Sequence, residues 1–299
     1  SIQEMSEKNI IIFGVGIYGR AVYRKIKKLP DRYNIIAFID NDTSKNNTSF
    51  DDVSIHSPED IKLLEYDEIF LAGRFVTEQE KQLLDELGID QSKIKLFKKS
   101  DLTPGPKEVK ARSDSIDHFL EIFSDIAKSK QMPYWMDHSA LLGIIRGEDL
   151  SRFSDVDIAL ISAQDANTLW SELKKSKIIE TFNISRTFVS EGEVSSKHMD
   201  VGTTRKVLAE SKVSVVEQEP AIIDINIRTK IGEDLYYAIN AKEAKTPYSY
   251  FDGHDIATYN SIELRIPKNA EEYLELLYGE NWRTPAEFFS DSQFEVITD

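Results

Sequence analysis

The 299-residue chain contains no cysteine. That excludes a disulfide scaffold, a thiolate metal centre and a cysteine nucleophile, and it accords with a reducing compartment such as the cytoplasm. No apolar run approaches the ~18 residues that a bilayer-crossing helix needs. The stretch from Ser1 to Lys8 is polar where a secretory signal would be apolar. A cytoplasmic protein without a transmembrane segment is expected, with peripheral membrane association left open. Positive charge is also scarce, 37 Lys+Arg against 52 Asp+Glu for a net charge of −15. This argues against a nucleic-acid binder that relies on general attraction to phosphates. What the chain does have is 40% hydrophobic residues, enough for packed cores, and a length that suits two domains.

The charge is uneven: residues 1–110 carry net −2 and residues 111–299 net −13. Between them, Thr103-Pro104-Gly105-Pro106-Lys107 interrupts both helix and central strand. The expected domains are therefore 1–106 and 107–299. In the first, the apolar run Asn9 to Phe13 leads straight into Gly14-Val-Gly16-Ile-Tyr-Gly19. A helix-periodic stretch follows (Val22, Ile26, Leu29), then Asn34 to Ile39 and Asp40. Strand, glycine turn, helix, strand and acid is the order of a dinucleotide-binding βαβ unit. Gly14 suits the tight turn, Gly16 the approach of a phosphate, Gly19 close helix packing and Asp40 a ribose hydroxyl. Ser57-Pro58 and the Thr77–Glu80 capping box each predict a helix start. This domain reads as a Rossmann-like parallel sheet, with nucleotide or nucleotide-sugar binding and a purely interactive role both open. Hydride transfer to NAD is a rival for which no catalytic apparatus is recognisable.

The second domain opens on a helix expected from Ser113, with Ile116, Phe119, Leu120, Phe123, Ile126 and Ala127 on one face. After a strand at Tyr134–Met136, Ser139 is expected to cap a short helix ending at Arg146-Gly147, whose first-turn N–H groups would cradle a phosphate. Asp155-Val-Asp157 then begins the strand into Ile161. Residues i and i+2 of a strand face one side, so these two carboxylates can converge on one cation. Asp224 sits in the apolar run Ala221 to Ile227, where a buried carboxylate needs a metal or a cationic partner such as Arg228. Arg205 and Lys206 form a basic pair, read as a solvated face or as a contact for donor phosphate.

Two resemblances follow from these residues. The glycine motif and Ala37-Phe-Ile-Asp-Asn-Asp42 resemble the Rossmann-like module attached to many bacterial polysaccharide-synthesis enzymes. Ser139-Ala-Leu-Leu-Gly143-Ile-Ile-Arg146, then Asp155-Val-Asp157-Ile, resemble the signature of the LicD phosphocholine transferase family, whose relatives include the fukutin-related proteins. A second block agrees: Leu264-Arg-Ile-Pro267, Glu272-Tyr-Leu274 and Tyr278-Gly279-Glu-Asn-Trp282-Arg-Thr-Pro285. His138-Ser139-Ala140 stands where the family has Gly-Thr or Gly-Ser, and Arg152-Phe-Ser154 where it has Trp and further acids.

The resemblance implies a nucleotidyltransferase-type α/β domain that moves a phospho-alcohol (phosphocholine, phosphoethanolamine or a polyol phosphate) from a CDP-linked donor to a surface-glycan hydroxyl. It implies Mg²⁺ or Mn²⁺ on Asp155, Asp157 and Asp224. It also implies a donor pocket drawing on His138, Ser139, Gly143, Arg146, Tyr278 and Trp282. The alternatives are transfer of a nucleoside monophosphate to a small molecule, and nucleotide binding without catalysis.

Overall fold

The computed structural model describes residues 7–239 and 242–285 and the backbone of 295–297. The chain divides into two compact units: 1–104 with 214–219 and 285–299, and 105–213 with 220–284. A boundary at 106/107 treats the chain as two consecutive pieces. The structure differs by returning the segment 214–219 to the first unit.

Unit 1 contains β1 (Lys8–Phe13), α1 (Ile17–Lys27), β2 (Tyr33–Ile39), β3 (Ser49–Phe50), β4 (Val53–His56), β5 (Glu68–Leu71), α2 (Val76–Lys81) and β6 (Ile94–Phe97). The strands lie in the order β6-β5-β1-β2-β4-β3, parallel except for β3, and Glu295–Ile297 adds a further parallel strand beyond β6. From β1 the chain winds outward through β2 and β4, then returns to β5 on β1's other side. That reversal is the switch point at which doubly wound sheets bind ligands. The central strands are almost wholly apolar because both faces are covered. Ile11 and Phe13 enter one core while Ile10 and Ile12 enter the other.

The glycine loop leaves β1 at this switch point. Gly14 has φ +94°, and a Cβ on Gly19 would lie 1.9 Å from the Gly14 carbonyl oxygen. Helix α1 can therefore approach β1 only with glycine at position 19. Gly19→Ala is expected to destabilise the fold by about 2–3 kcal/mol, the usual scale of overpacking against rigid backbone, read from urea unfolding. Two helix starts differ from expectation. Thr77 and Glu80 form no capping box, since α2 begins at Val76 without a side-chain cap. Ser57 likewise makes no cap bond to the short 3₁₀ turn Pro58–Leu63.

The returning segment is held by charge. Arg20 Nε donates to Glu219 Oε2 at 3.1 Å, Arg20 Nη2 reaches Oε1, and Arg24 Nη2 lies 2.5 Å from Oε2 and also donates to the Val215 carbonyl. Glu219 is buried, which a carboxylate tolerates only when paired in this way.

Unit 2 contains α3 (Pro106–Lys130), β7 (Trp135–Asp137), α4 (His138–Arg146), β8 (Val156–Leu160), α5 (Ala163–Lys175), α6 (Ile178–Thr181), β9 (Phe182–Phe188), β10 (Thr204–Ser211), β11 (Ile222–Ile227), β12 (Thr229–Ile231), β13 (Asp234–Ile239), β14 (Lys242–Pro247), β15 (Asp255–Tyr259), β16 (Ile262–Ile266) and α7 (Ala270–Tyr278). Its main sheet runs β7-β8-β11-β10-β9, with β8 and β11 parallel and the other pairs antiparallel. A three-stranded sheet (β12–β14) and a hairpin (β15–β16) complete it. The fold class is mixed α/β in both units.

Helix α3 begins at Pro106, not at Ser113. Proline at the first helical position lacks only an N–H that would go unbonded anyway, and the Ser113 hydroxyl donates instead to Asp149 Oδ2 at 2.8 Å. The apolar face of α3 packs on the sheet: Ile116, Phe119, Leu120, Phe123 and Ala127 are buried. Strand β11 alternates strictly, with Ile223, Ile225 and Ile227 in the core and Asp224 and Asn226 on the opposite face. Among the described residues no helix is long and apolar enough to cross a membrane.

Candidate active site

Two acids of the site face each other across a strand pair. Asp157 on β8 stands directly opposite Asp224 on β11, and across the antiparallel side Asp157 stands opposite Asp137 on β7. Three neighbouring strands thus present a row of aspartates on one face. Asp155 precedes β8 and shares the face of Asp157. One carboxylate oxygen each from Asp155, Asp157 and Asp224 lies within 4.8 Å of the others.

The cluster is electrostatically loaded. Like charges 4.8 Å apart repel by about 3.5 kcal/mol at an effective dielectric of 20. Burial, then the carboxylates of Asp155, Asp224 and Asp137, push the Asp157 carboxyl well above its usual range, and Arg228 offsets only part of this. Asp224 Oδ2 receives Lys206 Nζ at 2.8 Å, while Asp224 Oδ1 is buried without a hydrogen-bond partner.

Asp137 has a different fate. It is fully buried, and Arg228 Nη2, also fully buried, lies 2.5 Å from its Oδ2. Tyr273 donates to the same oxygen at 2.9 Å, and the His138 backbone N–H donates to Oδ1 at 2.6 Å. Burial alone would raise the Asp137 carboxyl, but Arg228 and His138 outweigh it and hold it below the usual range. The guanidinium of Arg228 lies 3.9 Å from the Tyr237 ring centroid, and its Nε donates to Asn226 at 3.0 Å. Tyr237 Oη and His138 Nε2 are 3.0 Å apart. Burial pushes the Tyr237 phenol up to about 12 and the His138 imidazole below its ordinary value. His138 has φ +48°; holding a β-carbon residue in that region costs on the order of 1–3 kcal/mol, sustained here by the contacts on both its backbone and its ring.

Several sequence-derived candidates sit differently from expectation. Ser139 does not cap α4: the cap is Asp137, and the Ser139 hydroxyl donates to the Asp155 carbonyl at 3.3 Å, tying helix to strand. Gly143 is a packing glycine, since a Cβ there would lie 2.6 Å from the Phe153 ring and 2.9 Å from Leu150. Arg146 is engaged, its Nε donating to the Trp282 carbonyl at 2.8 Å beside Glu148. Trp282 is buried, so this pair fastens the C-terminal block to α4. Tyr278 is partly exposed, and its phenol is raised by burial and then by Asp137, Asp157 and Asp155. Arg228 does not pair with Asp224; it serves Asp137, and Lys206 serves Asp224.

In unit 1, open space surrounds the Cβ position of Gly16. Asp40, by contrast, accepts the N–H groups of Val15 at 3.0 Å and Asp42 at 2.8 Å and lies 3.9 Å from Lys45. Its Oδ2 thus braces the glycine loop, and its Oδ1 the turn that follows β2.

Sequence reasoning missed the Asp137–Arg228–Tyr273 cluster. An acid closing the apolar run Tyr134–Met136 and an arginine ending an alternating strand were the visible signals.

The family model described as C2185-like, N-terminal, matches residues 6–95. None of the curated proteins matches the chain. Among solved structures, the lincosamide antibiotic adenylyltransferase LnuA, lincomycin-bound, is similar at 13% identity over 60% of this chain and 89% of its own, with a TM-score of 0.31. ANT(2″)-Ia in complex with adenylyl-2″-tobramycin is similar at 10% identity over 56% and 77%, with a TM-score of 0.32. UDP-D-quinovosamine 4-dehydrogenase from Vibrio fischeri covers 36% of this chain and 85% of its own at 18% identity, with a TM-score of 0.26. With overlaps this loose, function has to be read from the site itself.

Proposed function

We propose that the protein is a divalent-cation-dependent transferase that moves a phospho-alcohol from a CDP-linked donor to a hydroxyl of a surface-glycan precursor, releasing CMP. The supporting observation is the meeting of Asp155, Asp157 and Asp224 within 4.8 Å on one sheet face. Those residues fit a cation. They offer hard oxygen donors, as Mg²⁺ and Mn²⁺ prefer; Asp224 Oδ1 is buried and unsatisfied, and the Asp157 carboxyl is under strong like-charge repulsion. A bound ion would neutralise charge on the donor's pyrophosphate.

The chain's own residues supply position. Phosphoryl transfer depends on alignment and charge neutralisation more than on covalent catalysis. The acceptor oxygen attacks the phosphorus that bears the alcohol. The bond from that phosphorus to the bridging oxygen breaks, CMP leaves with that oxygen, and the hydroxyl proton passes to a carboxylate of the cluster. Tyr278, exposed at the end of α7, is the proposed contact for the nucleotide base. His138 is fixed through Tyr237, so its ring is a candidate contact for the donor. The glycine loop of unit 1, open at Gly16, is where a nucleotide or nucleotide sugar would sit.

The test is CMP release from CDP-choline, CDP-ethanolamine, CDP-glycerol and CDP-ribitol with Mg²⁺ or Mn²⁺, followed by mass analysis of the acceptor. Release that requires the cation, with the alcohol phosphate on the acceptor, is expected. An acceptor carrying the nucleotide instead would establish nucleotidyl transfer, and turnover that survives EDTA would overturn the cation-dependent reading.

A further inference from the structure

Lys206 sits on the very carboxylate that a cation needs. It lies on β10 two residues from Leu208, the direct partner of Asp224, so it shares the face of the acids. Its ammonium is 2.8 Å from Asp224 Oδ2. We propose that Lys206 and the divalent cation exchange places on Asp224: the lysine holds the carboxylate when no cation is bound and, once displaced, turns its ammonium to the donor's phosphates. This rests on the cation-dependent reading of the site.

Three observations carry the proposal. First, the lysine satisfies Asp224 only by half, because Oδ1 is buried without a partner. An ion shared with Asp155 and Asp157 would satisfy it further. Second, Lys206 is free to relocate whereas Arg228 is not. The Lys206 side chain is 33% exposed, on a flexible four-carbon stem. Arg228 is fully buried on Asp137 and stacked against Tyr237. Third, the charge demands it. Three carboxylates and one divalent ion remain net negative, and a diphosphate adds more negative charge. A compact ammonium, a good point-charge ligand for phosphate, answers that need once it leaves Asp224.

The experiment is calorimetric titration of Mn²⁺ into the full-length chain without nucleotide, for the parent, Lys206→Met, Lys206→Arg and Asp224→Asn. Removing a competing cation of a partly exposed pair is expected to tighten Mn²⁺ binding by about fivefold in Lys206→Met. In the same variant the KM for the CDP-linked donor rises and CMP release falls by about tenfold or more. Lys206→Arg should keep binding near the parent value and recover part of the turnover. A merely structural lysine would not tighten the metal. Unchanged or weaker Mn²⁺ binding in Lys206→Met, with binding still lost in Asp224→Asn, overturns the exchange alone. Mn²⁺ binding that is absent from the parent, or indifferent to Asp224→Asn, overturns the cation reading and the exchange with it. If Lys206→Met does not fold, Lys206→Gln carries the same titration.

Discussion

Asp157→Asn is expected to lower cation-dependent turnover by about 10³-fold or more while leaving the metal-free fold at least as stable as the parent. The two effects have one cause. Asp157 occupies the middle of the row, opposite Asp224 on one side and Asp137 on the other. Its carboxyl is pushed well up by burial and by three acidic neighbours. Asparagine keeps the shape and removes the repulsion. Relief of about 1 kcal/mol would raise the melting temperature of the metal-free protein by about 2–4 °C. Calorimetric melts in EDTA and CMP release in Mg²⁺, run side by side, measure both. A variant that melts lower without metal and still turns over would remove Asp157 from the chemistry and assign it to the fold.

Arg228→Met is expected to be the most destabilising single change in unit 2, at about 3–5 kcal/mol. Removing one partner of a buried ion pair leaves the other charge uncompensated, which costs far more than the pair itself contributes. Asp137 would keep Tyr273 and the His138 N–H but lose the buried guanidinium that neutralises it. Asp137→Asn/Arg228→Met should recover part of the loss, because it removes the stranded charge. The pH dependence distinguishes the variants. In the parent, the Asp137 carboxyl lies below its ordinary value of 3.8, so its contribution is present above that value and lost as pH falls through the lowered one. Without Arg228, burial dominates and the carboxyl rises, so stability instead falls as pH climbs through the raised value. Urea unfolding of the three proteins between pH 4 and pH 8 reads the reversal.

Much of the framework was legible in the residues. Both-face burial makes parallel strands continuously apolar, which exposed β1, β2 and β5, and the glycine spacing located the switch point. The Asp155–Asp157 pair was legible because strand period fixes which side chains share a face, and Asp224 because an acid in an apolar run needs a reason. The partners of those acids were not legible. Which cation serves which carboxylate depends on register across β7, β8, β11 and β10, and no local pattern encodes register. Arg228, four residues beyond Asp224, reads as its natural mate, yet the sheet delivers it to Asp137 and gives Asp224 to Lys206. Ser139 and Ser113 misled for a related reason. A serine near a helix start resembles a cap, but Asp137 and Pro106 already occupy those starts, leaving each hydroxyl for a tertiary contact.

The detour between β10 and β11 constrains how this gene can be cut. Glu219, held by Arg20 and Arg24, lies five residues before Asp224. A fragment beginning at residue 105 would leave that glutamate without its arginines, right at the entrance to the strand that presents an acid of the cluster. The amino-terminal unit is therefore no detachable appendage. Fission or shuffling at the proline-rich junction would strip Glu219 of both arginines, and such truncations should yield poorly folding protein even though the severed peptide bond lies far from the chemistry in sequence.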